Sequence, residues 1–367
     1  VFADAYAGRT VFVTGHTGFK GAWLSLWLAR LGAQVVGFAL PPPTEPSLFG
    51  DADVAAGLTH YTGDVRDAAA LQAALAQARP DFIFHLAAQP LVLDAYAAPG
   101  ETFAINVGGS INLLEAIRRT GTRAAVVMVT TDKVYRNCES GFAYREDDPL
   151  GGNDPYSASK AAMEIAVAAW RSSYFPPENV ARHGVRLASA RAGNVIGGGD
   201  WSAHRIVPDL ARSASVAAHP DLRNPASLRP WQHVLEPLAG YLWLGARLAS
   251  AEGARFAGGW NFGPLPTDVQ PVSALADAIL SRWGRPGWRN ASDPLAPHEA
   301  GTLRLAIDKA VGELGWRPVW NFTQTAQRTA DWYASVADCS ASPRAACEAD
   351  LAAYCAAAAA SGVEFAR

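Results

Sequence analysis

The chain has 367 residues, half of them hydrophobic and 18% charged, with a formal net charge of −3. That length supports two lobes around a sizeable core. The near-neutral balance excludes sequence-independent electrostatic binding of nucleic acid, although a local basic cleft can still hold phosphates. Residues 1–9 lack the basic start and apolar stretch of a signal peptide, and no apolar run reaches the roughly 18 residues of a membrane span. The expected compartment is therefore the cytoplasm. From residue 9 the chain alternates short β-branched runs with amphipathic stretches, the pattern of a parallel sheet covered by helices. Strands are predicted over residues 9–14, 34–39, 58–62, 81–86, 124–130 and 184–191. The first is followed by a glycine turn and a helix over residues 19–31. Asp154 and Pro155 supply an N-cap and a first-turn proline for a helix running to residue 173.

After Asn194 the character changes: glycines and prolines become dense, and tryptophans sit among arginines and asparagines. These loops are expected to form a smaller lobe over the C-terminal ends of the strands, where open α/β sheets place ligands. The predicted organisation is a Rossmann-type, doubly wound parallel sheet over residues 1–192 and a ligand-binding lobe mainly over 193–335. Some of the second stretch returns to the first, and an alanine-rich, helical tail covers 336–367. Cys339, Cys347 and Cys355 recur evenly there, but without histidines or tight ligand pairs they do not form a metal site. Four cysteines in so long a chain likewise make no disulfide framework.

The turn after the first strand reads Gly15-His16-Thr17-Gly18-Phe19-Lys20-Gly21. Its glycines allow a tight turn, close backbone approach to a pyrophosphate and close packing of helix on sheet. Strand–turn–helix context makes the pattern a dinucleotide-binding signal. The acidic residue usual at the end of the second strand is missing; Leu40 and three prolines follow Ala39 instead. His16 and Lys20 would add positive charge around the turn, so the residues alone do not separate NAD from NADP. Asp64, with Val65 after the third strand, is placed to accept from an adenine amino group or, equally, to serve as a turn residue. Tyr156 and Lys160 stand four apart on one helical face. The ammonium, helped by a positive nicotinamide, would favour the phenolate and so create a base, with Thr131 at the end of the fifth strand to orient a substrate hydroxyl.

The glycine turn, the Leu86-Ala87-Ala88-Gln89 run and the Tyr156-Ser157-Ala158-Ser159-Lys160 segment together resemble the extended short-chain dehydrogenase/reductase family. The run from Arg191 to Trp201 resembles its nucleotide-sugar members. Arg229-Pro230-Trp231-Gln232-His233-Val234, Pro297-His298-Glu299-Ala300 and Thr131-Asp132-Lys133 resemble the branch that dehydrates CDP-glucose. The similarity spans about residues 10–332. It implies NAD as cofactor and a homodimer paired through flanking helices, over about residues 101–120 and 156–173. The implied chemistry has three stages. Tyr156 takes the 4-hydroxyl proton as carbon 4 gives up hydride, Asp132 protonates the departing 6-hydroxyl, and hydride returns to carbon 6. The related dTDP-glucose enzymes carry Glu at the position of Lys133. There the Glu removes the carbon-5 proton, a task a lysine performs only with a strongly lowered pKa; otherwise it stabilises the enolate. Substrate contacts are expected from Gln89, Thr131, Asn194, Arg223, Arg229, Asn261, His298 and Glu299, with Arg229 gripping the pyrophosphate. Trp201, Trp231 and Trp260 are expected to pack rather than stack on a base. An epimerase would share the cofactor turn and the Tyr/Lys pair, but Asp132 favours loss of a hydroxyl.

Overall fold

The computed structural model describes residues 1–139, 141–285, 287–293 and 302–367. Strands β1 (Thr10–Thr14), β2 (Gln34–Ala39), β3 (Thr59–Thr62), β4 (Phe82–His85), β5 (Ala125–Val129), β6 (Arg186–Ala192) and β7 (Gly259–Phe262) form one sheet in the order β3-β2-β1-β4-β5-β6-β7. Every neighbouring pair in it is parallel. The six predicted strands are present to within two residues at each end. The seventh lies inside the stretch assigned to the smaller lobe and pairs with β6, Gly259 opposite Ser189.

Alternation along the strands divides the core in two. Val11, Val13, Phe84 and Val127 point to one side, Phe12, Ile83, Val126 and Met128 to the other. The first side is covered by α1 (Phe19–Arg30) and by the long helices Leu235–Ala249, Phe322–Ala337 and Pro343–Ser361. The second is covered by helices Ala68–Ala78, Ser110–Thr120 and Pro155–Ser173. A sheet buried on both faces explains the nearly continuous apolar runs. Helix Pro155–Ser173 starts as its sequence dictates, with the Asp154 carboxylate accepting from Ser157 N at 2.9 Å.

The alanine-rich segment Pro343–Ser361 is a helix, and it closes the first core. Cys347, Leu351 and Tyr354 are buried, Tyr354 Oη donates to Glu236 at 2.8 Å, and Phe365 stacks on Phe2. The four cysteines are free thiols, and no metal-ligating group of side chains occurs among the described residues.

The connections leave β1 toward β2 on one side while β4 lies on its other side. That reversal is the switch point at which ligands enter open α/β sheets. The loops after β1, β4, β5 and β6 all converge there.

Candidate active site

A cleft of about 840 Å³ opens at the switch point. Gly15, Thr17, Gly18, Phe19, Lys20 and Gly21 line one end; Leu86, Ala87, Ala88, Gln89, Asp64 and Val65 line its wall. Thr131, Asp132, Lys133, Tyr156 and Lys160 lie at its floor, and Asn194, Arg205, Arg223 and Arg229 reach it from the far lobe.

The glycine turn fits a dinucleotide. Gly15 has φ +75°, and a Cβ there would stand 2.6 Å from Ala87 N; one on Gly21 would stand 2.1 Å from the Gly15 carbonyl oxygen. Gly18 caps α1 with no side-chain hydrogen bond, and the first turn carries no acidic residue. The first turn of the helix lines the cleft and brings the positive end of the helix dipole to it.

His16 does not add the expected charge. Its ring is buried over Gly37, where a Cβ would stand 2.4 Å from Cδ2, and its Nε2 is hydrogen-bonded to His60 Nδ1 at 2.7 Å. Burial, with His60 beside it, pulls its pKa down to about 4, so the imidazole is neutral near pH 7. Lys20 does reach the cleft, although burial and the nearby Arg205 bring its ammonium down to about 8. Asp64 is held by Arg66, with Nη2 to Oδ2 at 2.6 Å, which keeps the carboxylate below its ordinary pKa. Gln89 folds onto its own loop, donating to Leu91 O at 2.9 Å and accepting from Leu91 N at 3.0 Å.

At the floor, Thr131 caps the turn Asp132–Val134 and its hydroxyl donates to Asp132 Oδ1 at 2.9 Å. Asp132 is 2% exposed, and its Oδ2 has no hydrogen-bond partner. Gly193 makes room for it, since a Cβ there would stand 2.9 Å from that oxygen. Burial raises the carboxyl's pKa against the opposing pull of Lys133, Thr131, Arg229 and Lys20. The sequence left this balance between desolvation and Lys133 open; desolvation prevails.

Burial pushes the Tyr156 phenol up to about 12; contact with the Thr131 hydroxyl and the nearby Arg205 lower it, while Asp132 and Asp154 raise it. Lys160 is buried too, donating to Val129 O at 3.3 Å, and burial together with Lys20 brings it down to about 8. The Tyr/Lys spacing thus brings both groups to the site, but the surroundings favour the neutral phenol.

Asn261 is not a cleft residue. It is fully buried, accepts from Tyr135 Oη at 2.7 Å and donates to the carbonyls of Tyr144 and Ala306. Its side chain fastens β7 to the segments on either side. His298 and Glu299 lie outside the described residues. Trp260 is packed, with Nε1 donating to Phe256 O at 2.8 Å; Trp201 meets Tyr333 edge-on; Trp231 is buried at the cleft wall, donating to Gln270 O.

Three supporting groups escaped sequence reasoning. Arg205 pairs with buried Asp200 at 2.9 Å at the edge of the cleft. Asn106 ties Gln89 N to its Oδ1 at 2.9 Å and donates to Ser159 Oγ at 2.9 Å, joining the loop after β4 to the Tyr156 helix. Glu164, one turn beyond Lys160, forms a buried pair with Arg191 at 2.9 Å and accepts from the Thr130 and Ser189 hydroxyls. Only Asp200 carried a signal, inside the glycine-rich run that follows Arg191.

This geometry has counterparts in known proteins. Residues 11–256 match the NAD dependent epimerase/dehydratase family. The chain belongs to that family. A CDP-glucose 4,6-dehydratase of Salmonella typhimurium is 48% identical over 328 residues, 89% of this chain and 91% of that protein. Among solved members, a dTDP-glucose 4,6-dehydratase of Streptomyces venezuelae with NAD bound superposes with a TM-score of 0.72 at 25% identity, covering 89% of this chain and 97% of that one. A UDP-glucose 4-epimerase of Thermus thermophilus reaches 0.75 at 24% identity, covering 89% and 99%, which bears on the fold alone. Both the dehydratase and epimerase branches of the family therefore share this architecture.

Proposed function

We propose that the chain is a sugar-nucleotide 4,6-dehydratase, a lyase that converts CDP-glucose to CDP-4-keto-6-deoxyglucose and water. The observation that carries this reading is the Asp132 carboxyl. It is buried, lacks a partner on Oδ2, and is held protonation-prone beside Thr131 and Tyr156. An epimerase needs a base at the 4-hydroxyl; expulsion of the 6-hydroxyl needs in addition an acid beside it. The 48% identity to a CDP-glucose 4,6-dehydratase supports the same reaction and the cytidine nucleotide.

NAD would lie along Gly15–Gly21, with its pyrophosphate at the start of α1, and would supply the hydride acceptor, the hydride donor and a cationic ring that lowers the phenol's pKa. The chain's own groups do the proton work. Tyr156 accepts the 4-hydroxyl proton, helped by the cations Lys160 and Arg205, while Thr131 orients that hydroxyl. With carbon 4 a ketone, the carbon-5 proton becomes acidic and passes to the Lys133 amine, whose ammonium then stands where the enolate develops and later returns that proton to carbon 5. Asp132 gives its proton to the 6-hydroxyl, so water departs. Arg229 holds the substrate diphosphate with a planar donor fork, and Asn194 adds a polar contact nearby.

The protein would act as a cytoplasmic homodimer. Ile165 on helix Pro155–Ser173 is 60% exposed, with Tyr96, Phe103 and Tyr174 also exposed on neighbouring segments, an apolar surface suited to pairing. No described helix is long and apolar enough to cross a membrane. The deciding experiment offers CDP-, UDP-, dTDP- and GDP-hexoses in parallel and records product masses. CDP-glucose should give a product lighter by one water, with no net accumulation of reduced nicotinamide. Turnover without loss of water would favour the epimerase, and equal or better turnover of another nucleotide would remove the cytidine assignment.

A further inference from the structure

Two ends of the cleft have been assigned, the glycine turn to the cofactor and the Asp132–Tyr156 floor to the sugar. The cleft is also lined by Asp209, Asp221, Leu222, Arg223, Asn224 and Val272, none of which serves the cofactor or the sugar in that reading. A nucleotide whose sugar lies at Tyr156 and whose diphosphate meets Arg229 places its base among these residues.

The segment is a built one. Asp221–Leu222 pairs in parallel with Arg289–Asn290, and Leu222 is 1% exposed. Its two lining carboxylates are already engaged with arginines: Asp221 with Arg289 at 2.8 Å and Asp209 with Arg212 at 2.6 Å. Arg223 follows the strand directly, and its Nη2 donates to His204 O at 3.0 Å. That bond turns the guanidinium toward the loop carrying Arg205, across the end of the cleft.

A guanidinium only donates. The pairing edge of cytosine presents N3 and O2 as adjacent acceptors, which a donor fork can meet with two parallel hydrogen bonds. Uracil and thymine carry a hydrogen on N3, so the same fork meets donor against donor. Sites that hydrogen-bond one partner discriminate strongly against an analogue that leaves polar groups unpaired.

We infer that Arg223 is the specificity-determining residue for the base, reading the N3–O2 edge of cytosine and rejecting uracil. The inference rests on the dehydratase reading above, since that reading sets which end of the cleft receives the base. CDP and UDP form the cleanest probe pair, having the same ribose and diphosphate and differing only at the base edge.

Calorimetric titration of the full-length protein with each nucleotide should show CDP preferred by about tenfold or more, the discrimination expected of one bidentate contact to a base edge. Arg223→Leu should reduce the preference to within about threefold by weakening CDP alone. Arg223→Gln, whose amide both donates and accepts, should tighten UDP, a gain that loss of structure cannot produce. Unfolding temperatures of both variants should match the parent, as expected for an exposed side chain. If Arg223→Leu weakens CDP and UDP by the same factor, the side chain serves phosphate or ribose and the inference is overturned. If the preference persists in Arg223→Leu, base reading lies elsewhere and the inference is again overturned, with the cytidine assignment intact. If the parent shows no preference for CDP, the cytidine assignment falls and Arg223's role with it.

Discussion

Replacing Asp132 with asparagine separates the two halves of the proposed reaction. Asparagine has the volume of the aspartate and keeps an oxygen to accept from the Thr131 hydroxyl, the 2.9 Å contact that fixes the side chain. It cannot deliver a proton to a departing hydroxyl. A positioned general acid contributes about 10²- to 10⁴-fold, equivalent to roughly 3–5 kcal/mol at 1.36 kcal/mol per decade. Elimination should slow by that factor, while oxidation at carbon 4, which relies on Tyr156 and Thr131, should stay within about tenfold of the parent. Burial raises the Asp132 pKa, so in the parent the elimination rate should fall as pH rises through that value, and this limb should vanish in the variant. The assay is a single turnover with CDP-glucose, following nicotinamide absorbance and quenching for product mass. Reduced nicotinamide should build up transiently in Asp132→Asn, with the sugar mass lower by two hydrogens but not by water. The cost to folding is bounded by one new buried amide donor, about 1–3 kcal/mol, and thermal unfolding monitors it. Water loss at near the parental rate, or a parallel fall in both steps, would refute the assignment of Asp132 as the acid.

Gly21→Ala should weaken NAD binding by about tenfold or more, about 1.4 kcal/mol, because the new methyl would stand 2.1 Å from the Gly15 carbonyl oxygen and must displace the turn. Titration of tryptophan fluorescence with NAD measures it, and an unchanged dissociation constant would count against the turn as the cofactor cradle. Stability should depend on pH through the buried carboxyls that hold the C-terminal helix: burial raises both Glu236 and Asp350 to about 7. In the fold they keep protons that the unfolded chain releases near pH ~4, so stability is highest below that pH and falls as pH rises through 7. Unfolding temperatures measured from pH 5 to 8 should decline in the parent and decline less in Glu236→Gln and Asp350→Asn; a flat parental profile would contradict the shifts.

The parts of the site that were legible in the sequence are those whose cause is local. A glycine turn must follow its strand, and the Cβ contact at Gly21 is with Gly15 and His16 on the turn itself. Asp154 caps the helix three residues ahead of the amide it accepts from. Tyr156 and Lys160 share a face because of the helical repeat alone. What stayed hidden depends on partners far along the chain. Asn261 looked like a polar residue of the ligand-binding lobe, yet it lies within a strand that returns to the sheet and meets Tyr135, 126 residues earlier. Glu164 gave no sign that Arg191, 27 residues later, would neutralise it. Arg205 became a cleft residue through its pair with Asp200, whose carbonyl accepts from the Tyr333 hydroxyl on helix Phe322–Ala337.

Charge state was the least legible property, and the shifts run in one direction. His16 falls to about 4, Lys20 and Lys160 fall to about 8, Tyr156 rises to about 12, and Asp132 rises. Each shift is toward the neutral form, and desolvation is the largest cause in every case. The sequence set burial against Lys133 at Asp132 without deciding between them, whereas at the cleft floor burial outweighs single neighbours. This bears directly on the proposed chemistry. In low dielectric a charge that enters the cleft acts more strongly than it would in solvent. A cationic nicotinamide ring or a substrate diphosphate therefore has more leverage over Tyr156 and Asp132 than Lys160 or Lys133 has alone. The arrangement keeps the phenol neutral and favours protonation of the Asp132 carboxyl until ligands arrive. These are the protonation states from which a base can be made by added positive charge and from which an acid can donate.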